Sequence, residues 1–561
     1  MREQRDGTMV VNRGGGLAGP SAPASPPAPT CGARWQPGSP AACRARTTPG
    51  VPPRRSLSGV VASMLSRLAS SLSRVASLPL TPLRLRAPAT LLALAAPLAA
   101  VQAQGLAPAS ANVLPQELAQ AWRDSKLPDS SLSVVVQELG GARLLALNAK
   151  SARNPASVMK LVTTWAALSE LGPGYMWRTQ LLAEPGARVD AKGVLPGPLF
   201  LRASGDPRFL IQDFWALLRD LRLRGVRQIG DLVVDRGIFG TVAGDTGAFD
   251  GAPDRPYNAY PDALMVGFGA MRMLFMPDPA ARRWIGVMDP PIPGIKLSGQ
   301  VEWSDARCTG SPAIVTEPVI TQQGVVMRVA GKVAGSCGEF SVYRLAVPQP
   351  DFATEVFRLL WRELGGSFTG QVRAGTVPTD AVPLVAHDSP PLGDIIRTIN
   401  KRSNNVMART LMLTLGAEAG RRPATVQESA AVVRRVLTGQ GLTMPELVVD
   451  NGSGLSRNAR ISADSLASLL TVAWQSPYMP EYLSSLAIAG VDGTVRRRMR
   501  GNGAKGMAHL KTGTLANVRA IAGYVLGASG KRYVVVSMVN DERADNARAF
   551  NDALVEWLAA R

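Results

Sequence analysis

A serine hydroxyl is a weak nucleophile unless a base lies within hydrogen-bond reach, and one segment of this 561-residue chain has the spacing to supply one. Ser157-Val158-Met159-Lys160 sets a hydroxyl and an amine three residues apart. On a helix, positions i and i+3 share a face, so Ser157 Oγ and Lys160 Nζ can meet. The amine is a base only when neutral, so its ordinary pKa of about 10.4 must be lowered by burial and by nearby cations such as Lys511. The tetrad follows Asn154-Pro155 at the start of an amphipathic helix, where free N–H groups favour a developing oxyanion. Ser403-Asn404-Asn405 adds a hydroxyl able to relay a proton and an amide able to hold both Lys160 and a substrate carbonyl. Lys511-Thr512-Gly513 falls in a strand-like run, where His509, Lys511 and Gly513 face one way and Thr512 the other. There Lys511 offers a cation to a terminal carboxylate, and Gly513 admits a substrate laid alongside as an added strand. The Thr514 N–H can complete an oxyanion hole.

Each motif alone is common. Downstream of Gln104, however, the chain has about ten lysines, and Lys160 alone has serine three residues before it. Competing chemistries lack their parts. With only His387 and His509 and no H-E-x-x-H pair, a zinc hydrolase with several histidine ligands is excluded. A Ser-His-Asp hydrolase would need one of those histidines, and no G-x-S-x-G elbow exists. His509 and Asp206, the latter between Gly205 and Pro207, read as structural residues. No metal or cofactor is implied.

The elements that must carry these residues can be read from the patterning. A helix is expected near Pro115–Trp122, then a hairpin of Leu132–Val136 and Arg143–Leu147 about Gly140-Gly141. The helix bearing Ser157 should run from Ala156 to Leu171 and stop at Gly172-Pro173-Gly174. From Trp177 to His387 the texture changes to short strands, with helices near Ile211–Arg224 and Phe352–Leu364. Helices return at Leu392–Ile399 and Val406–Leu415. Strands Ala508–Thr512, Ala520–Leu526 and Tyr533–Val539 precede a last helix. The fold class is therefore α/β (α+β), with one domain split by a strand-rich insertion of about 210 residues, large enough for one or two domains. The expected division is 104–178 and 389–561 for the split domain and 179–388 for the insertion.

Residues 1–63 are rich in Pro, Gly, Ala and Arg without periodicity and should not fold alone, as a disordered or mis-annotated extension. Residues 64–103 have the order of a secretory signal: basic residues, the apolar run Ala87–Ala100, and the small-residue site Val101-Gln102-Ala103. The protein is thus expected outside the cytoplasm, in the periplasm. No later run approaches eighteen apolar residues, so at most peripheral membrane association is expected. The net charge is +20, but about half of the excess lies before Gln104 as scattered arginines, and no Lys/Arg run is interleaved with aromatics. Nucleic acid is not the expected partner; an anionic cell wall or lipid surface suits the remaining charge equally well. Cys31 and Cys43 sit in the extension. Cys308 and Cys337 lie close together in the insertion and suit a disulfide in an oxidising compartment.

S-x-x-K, S-x-N and K-T-G together are the signature of penicillin-binding proteins and class A β-lactamases. With about 245 residues between Ser157 and Ser403, the chain resembles the low-molecular-mass class C penicillin-binding proteins. These are serine D-alanyl-D-alanine carboxypeptidases that also act as endopeptidases, built on a β-lactamase/transpeptidase-like domain with a two-domain insertion. Further matches are Ser204-Gly205-Asp206-Pro207, Asn451-Gly452-Ser453-Gly454-Leu455-Ser456-Arg457 and Gly490-Val491-Asp492-Gly493-Thr494. The resemblance implies peptidoglycan peptides and β-lactam antibiotics as ligands. It implies Ser157 as acylated nucleophile, Lys160 as its base, Ser403 and Asn405 as the second catalytic element, and Lys511 with Thr512 on the substrate carboxylate. It also implies that Asp250, about 93 residues after Ser157, meets the diaminopimelate end of the stem peptide, with Asp245 and Asp254 as rivals. A class A β-lactamase would need a glutamate-activated water, for which Glu446 is the candidate; here Glu446 leads into the strand-like Leu447-Val448-Val449. A non-catalytic wall-binding protein would need a degenerate motif, and none is degenerate.

Overall fold

A computed structural model describes residues 112–500 and 503–561; the extension and the secretory pattern of 1–103, with Cys31 and Cys43, lie outside the described residues. The apolar run Tyr533-Val534-Val535-Val536 and the triple valine at 134–136 are too continuous for a half-exposed strand, and both lie inside a sheet with a neighbouring strand on each side. That sheet has six strands in the spatial order Ala487–Ile488, Ala508–Leu515, Val518–Leu526, Arg532–Asn540, Leu132–Glu138, Arg143–Leu147. One face packs on the first and last helices, Gln116–Ser125 and Ala547–Ala559, through Leu118, Trp122, Phe550 and Leu554 together with Val134, Val136 and Val535. Val135, Val534, Val536 and Met538 point to the other side, into a helical core that includes Met159, Val162, Trp165, Ile399 and Leu411. Alternation along each strand thus serves two cores.

The insertion leaves and re-enters through paired strands. Arg178–Ala183 and Val382–Asp388 run antiparallel with Arg178 opposite Asp388, and the two side chains form a two-pronged ion pair at 2.7 Å for each bond. These strands belong to a five-stranded sheet whose core is closed by Phe214, Leu217 and Leu218 of helix Ile211–Leu223 and by Phe352, Val356 and Phe357 of helix Gln349–Glu363. A separate core, with Met273, Phe275, Val301, Met327 and Phe340, sits between two three-stranded sheets. There Cys308 and Cys337 are joined in a disulfide, Cα atoms 5.0 Å apart.

Two expectations are corrected. Ser157 does not open the α-helix directly: Ala156–Val158 form a 3₁₀ turn and the α-helix is Met159–Leu171. Leu447–Val449 forms no strand; Val448 makes a single isolated bridge with Arg460. Glu446 accepts from the Ser462 N–H at 3.0 Å and the Ser465 hydroxyl at 2.6 Å, so it secures the start of helix Ala463–Gln475.

Candidate active site

Each motif is presented by a junction between elements. Ser157 lies on the 3₁₀ turn, just after Ala156 at φ 47°, a left-handed backbone that a residue with a Cβ rarely adopts. Asn154 braces the turn: its Oδ1 accepts from the Ala156 N–H at 2.9 Å, and its Nδ2 donates to Ser456 O at 2.8 Å. Ser403 is the left-handed C-cap of helix Leu392–Arg402, at φ 58°. Asn404 then caps the next helix, Asn405–Glu418, accepting from the Met407 N–H. The S-x-N spacing is therefore a helix end followed at once by a helix start, which turns Ser403 and Asn405 to different partners.

Lys160 is fully buried. Its Nζ lies 3.0 Å from Ser157 Oγ, 2.6 Å from Asn405 Oδ1 and 2.6 Å from the Ser453 carbonyl. The last two are acceptors only, so they engage two N–H groups of the amine. A neutral amine then has its lone pair left for the Ser157 hydroxyl. Burial, followed by the charges of Lys511 and Arg409, holds the Lys160 amine well below the ordinary lysine range. The Asn405 orientation is fixed by its other end, since Nδ2 donates to Tyr257 O at 3.2 Å. Lys511, also fully buried, lies 2.9 Å from Ser403 Oγ and 2.7 Å from its neighbour's carbonyl, Thr512 O. Burial brings its pKa down to about 7. Thr512 Oγ1 bonds Thr494 Oγ1 at 2.8 Å, and Thr514 is exposed on the same strand. The motif residues thus form two hydrogen-bonded groups, Ser157–Lys160–Asn405 and Ser403–Lys511, brought together by the 403–405 helix junction.

Gly513 also has a close neighbour within the chain itself. A Cβ there would stand 2.4 Å from the Pro155 carbonyl oxygen and 3.2 Å from Ala156 Cβ. It thereby permits the close approach of the Ser157 turn against the strand. The Asn451–Leu455 loop was matched by pattern without a role. It supplies the Ser453 carbonyl to Lys160 and the Gly452 carbonyl to Thr163 Oγ1 at 2.7 Å. Asn451 shapes that loop, accepting from the Ser453 N–H and hydroxyl and donating to Leu455 O. Backbone carbonyls leave no side-chain signal, although the Gly-Ser-Gly run signals a tight loop.

The three aspartates separate. Asp254 is engaged internally, 2.9 Å from buried Arg344. Asp245 caps the Gly247 N–H at 2.7 Å. Asp250 is exposed, accepting from Tyr257 Oη and Asn258 Nδ2, each at 2.8 Å, one hydroxyl from the segment that contacts Asn405. His509 stands apart from the cluster, Nδ1 3.2 Å from Leu483 O, and His387 lies in the insertion against Phe209. Among the described residues no group of three or more His, Cys, Asp or Glu could hold a metal ion.

A serine–amine pair on a turn packed against a K-T-G strand is the arrangement of a serine acyl-transfer enzyme of the β-lactamase/transpeptidase type. Comparison narrows the class: residues 114–561 match the D-Ala-D-Ala carboxypeptidase 3 (S13) family, and the chain belongs to it. It is 30% identical over 495 residues to a D-alanyl-D-alanine carboxypeptidase of Actinomadura sp. (strain R39), covering 82% of this chain and 89% of that one. It is 26% identical over 445 residues to the D-alanyl-D-alanine carboxypeptidase DacB of Haemophilus influenzae, covering 77% and 89% of the two chains. In fold it is similar to the crystal structure of penicillin binding protein 4 from H. influenzae, with a TM-score of 0.65 at 23% identity over 79% of this chain and 99% of that one.

Proposed function

We propose that this protein is a serine D-alanyl-D-alanine peptidase that cleaves peptidoglycan stem peptides and cross-links through an acyl-enzyme on Ser157, and that β-lactams acylate the same oxygen. The observation that carries the reading is the environment of Lys160, two carbonyl-type acceptors and one serine hydroxyl about a buried amine. Lys160 takes the Ser157 proton as Oγ attacks the carbonyl of the penultimate D-alanine. The N–H groups of Ser157 and Thr514 receive the oxyanion, a contribution of about 2.7–4 kcal/mol for each donor. Ser403, bridging toward Lys511, passes a proton to the departing amine, and Lys511 with Thr512 holds the terminal carboxylate. Water then hydrolyses the ester. A β-lactam is opened by the same attack, but its leaving nitrogen stays tethered in the site. We assign Asp250 to the diaminopimelate end of the stem peptide.

Carboxypeptidase and endopeptidase cleavage share the D-alanyl carbonyl that Ser157 attacks and differ in the departing amine, which belongs to the terminal D-alanine in the first and to the cross-linked side chain of the neighbouring stem in the second; both fit this chemistry. The β-lactamase alternative loses its water-activating candidate, because both contacts of Glu446 belong to a helix start. The test is intact-protein mass after exposure to penicillin, read together with D-alanine release from a stem peptide. Ser157→Ala abolishes both; an adduct of equal stoichiometry on that variant would mean another nucleophile. Asp250→Ala leaves penicillin labelling within about twofold and slows cleavage of diaminopimelate peptides. The order of basic, apolar and small residues over 64–103 supports export to the periplasm with cleavage near Ala103. N-terminal sequencing of active protein checks it, and an intact Met1 or Met64 sinks it.

A further inference from the structure

Four residues after Asn405, on the same face of its helix, stands Arg409. The two side chains reach consecutive carbonyls of the insertion. Asn405 Nδ2 donates to Tyr257 O at 3.2 Å, and Arg409 Nη1 donates to Asn258 O at 3.3 Å and Ala259 O at 2.9 Å. The guanidinium also lies over the Tyr260 ring, 5.5 Å from its centroid. Asp250 ties the same turn from its outer side, through Tyr257 Oη and Asn258 Nδ2. No motif announces Arg409, and its hydrogen bonds go to the insertion's backbone, yet its charge is felt at Lys160.

We propose that Arg409 is a positioning residue of the reaction: it straps the 256–259 turn of the insertion onto the Asn405 helix and keeps a fixed positive charge behind Lys160. The strap sets the Tyr257 carbonyl against Asn405 Nδ2, so the amide cannot flip and Oδ1 stays on Lys160. The charge favours the unprotonated amine, the form that can accept the Ser157 proton. The other ionisable groups facing this cluster are Lys511, from the strand Ala508–Leu515, whose charge acts in the same direction on Lys160. Asp450, on the Asn451 loop, and Tyr260, on the insertion, both face Arg409. Burial lowers the Arg409 pKa, but from so high a value that a guanidinium keeps its charge where an amine would lose it.

The inference rests on the reading of Lys160 as base, and the experiment separates the two. The rate of covalent labelling by benzylpenicillin is measured from pH 5 to 10 for the full chain, Arg409→Gln and Arg409→Lys. Loss of the charge raises the Lys160 pKa, so in Arg409→Gln the acid limb moves up by about one pH unit. Labelling at neutral pH then falls about tenfold, and the high-pH plateau stays within about threefold of the parent. Arg409→Lys restores the limb. A uniform loss at every pH, or an Arg409→Lys limb as displaced as that of Arg409→Gln, would reduce Arg409 to a packing residue and overturn the proposal. If Arg409→Gln gives no cooperative melt, Asp450→Asn decides: it leaves the Arg409 charge less opposed, so its acid limb moves down, and an unmoved or raised limb overturns the proposal. If Ser157→Ala still labels, the reading of the site has failed; if Ser157→Ala is silent while the Arg409→Gln limb stays in place, this inference alone has failed.

Discussion

Two lysines without solvent contact lie in one cluster, and each meets a different need. Lys160 has its hydrogen-bond capacity divided so that one direction remains for Ser157. Lys511 has Ser403 and a carbonyl about it, and a bound carboxylate would restore the positive charge that burial disfavours. A third buried ionisable group lies outside the site. Asp206 is 2% exposed and accepts from the Arg208 N–H at 2.8 Å through Oδ1, while Oδ2 has no partner. Burial raises its pKa to about 7. The folded state therefore holds a proton that the unfolded chain releases above pH 4 or so. The associated stabilisation is complete at low pH and is lost as pH rises through about 7. Asp206→Asn keeps the Oδ1 acceptor and removes the ionisation. Its melting temperature should gain on the parent steadily from about pH 4 to 7 and by a constant margin beyond, up to about 4 kcal/mol in free energy. A margin independent of pH would show that Asp206 does not titrate there.

The elements make these encounters by their ends. The Ser157 turn, the Ser403–Asn404 helix junction and the Lys511 strand are all boundaries, and boundaries leave backbone groups free to be aimed. The tightest join is between Gly513 and Pro155. A methyl group at 513 has to displace the turn or the strand, because the atom it meets is a backbone oxygen 2.4 Å away. Gly513→Ala should lower stability by about 1–3 kcal/mol and slow penicillin labelling by about a hundredfold through misplacement of Ser157. Calorimetry and labelling rates on one preparation check both, and full labelling at a lowered melting temperature would separate the join from catalysis. The helices Val426–Gly439 and Ala463–Gln475 were not anticipated, although their caps are local. Thr425 and Glu428 form a capping pair at 2.8 Å and Ser462 accepts from the Ser465 N–H. Thr-x-x-Glu before one apolar run and a serine N-cap before the other are legible signals.

At the scale of the whole molecule, the insertion is attached through the Arg178–Asp388 strand pair and again through the 249–259 segment, which reaches Asn405, Arg409 and, from Phe249 O at 2.8 Å, Arg457. Backbone pairing of Ile238–Gly240 with Ala424 is a further attachment, and the 249–259 contacts make the insertion part of the site's wall. The Cys308–Cys337 bond, with 29 residues of separation, is in a different core. Closing such a loop stabilises by about 3–4 kcal/mol on the chain-entropy model. Replacing both cysteines with serine should therefore lower the melting temperature of the protein and leave the rate of penicillin labelling within about twofold. A labelling defect at temperatures where the variant is folded would mean that this core communicates with the site.

What the sequence determined by itself was what local geometry controls. Ser157 and Lys160 meet because i and i+3 share a helical face, a relation that survives the replacement of the first turn by a 3₁₀ turn. The central strands follow from unbroken valine runs, and three motifs in order, with a long interval between the first two, pointed to the family. What only the tertiary structure decided was carried by groups without side-chain identity or by contacts far apart in the chain. The Ser453 carbonyl at Lys160 is such a group, since every residue has a carbonyl and only the path of the loop selects this one. Gly513 was legible as a close-approach residue, but the neighbour it admits is more than 350 residues away. Glu446 as a helix anchor and Arg409 beside Lys160 depend in the same way on which elements pack together. Their chemistry was written in the chain, and their partners were chosen when the two cores and the insertion closed around the site.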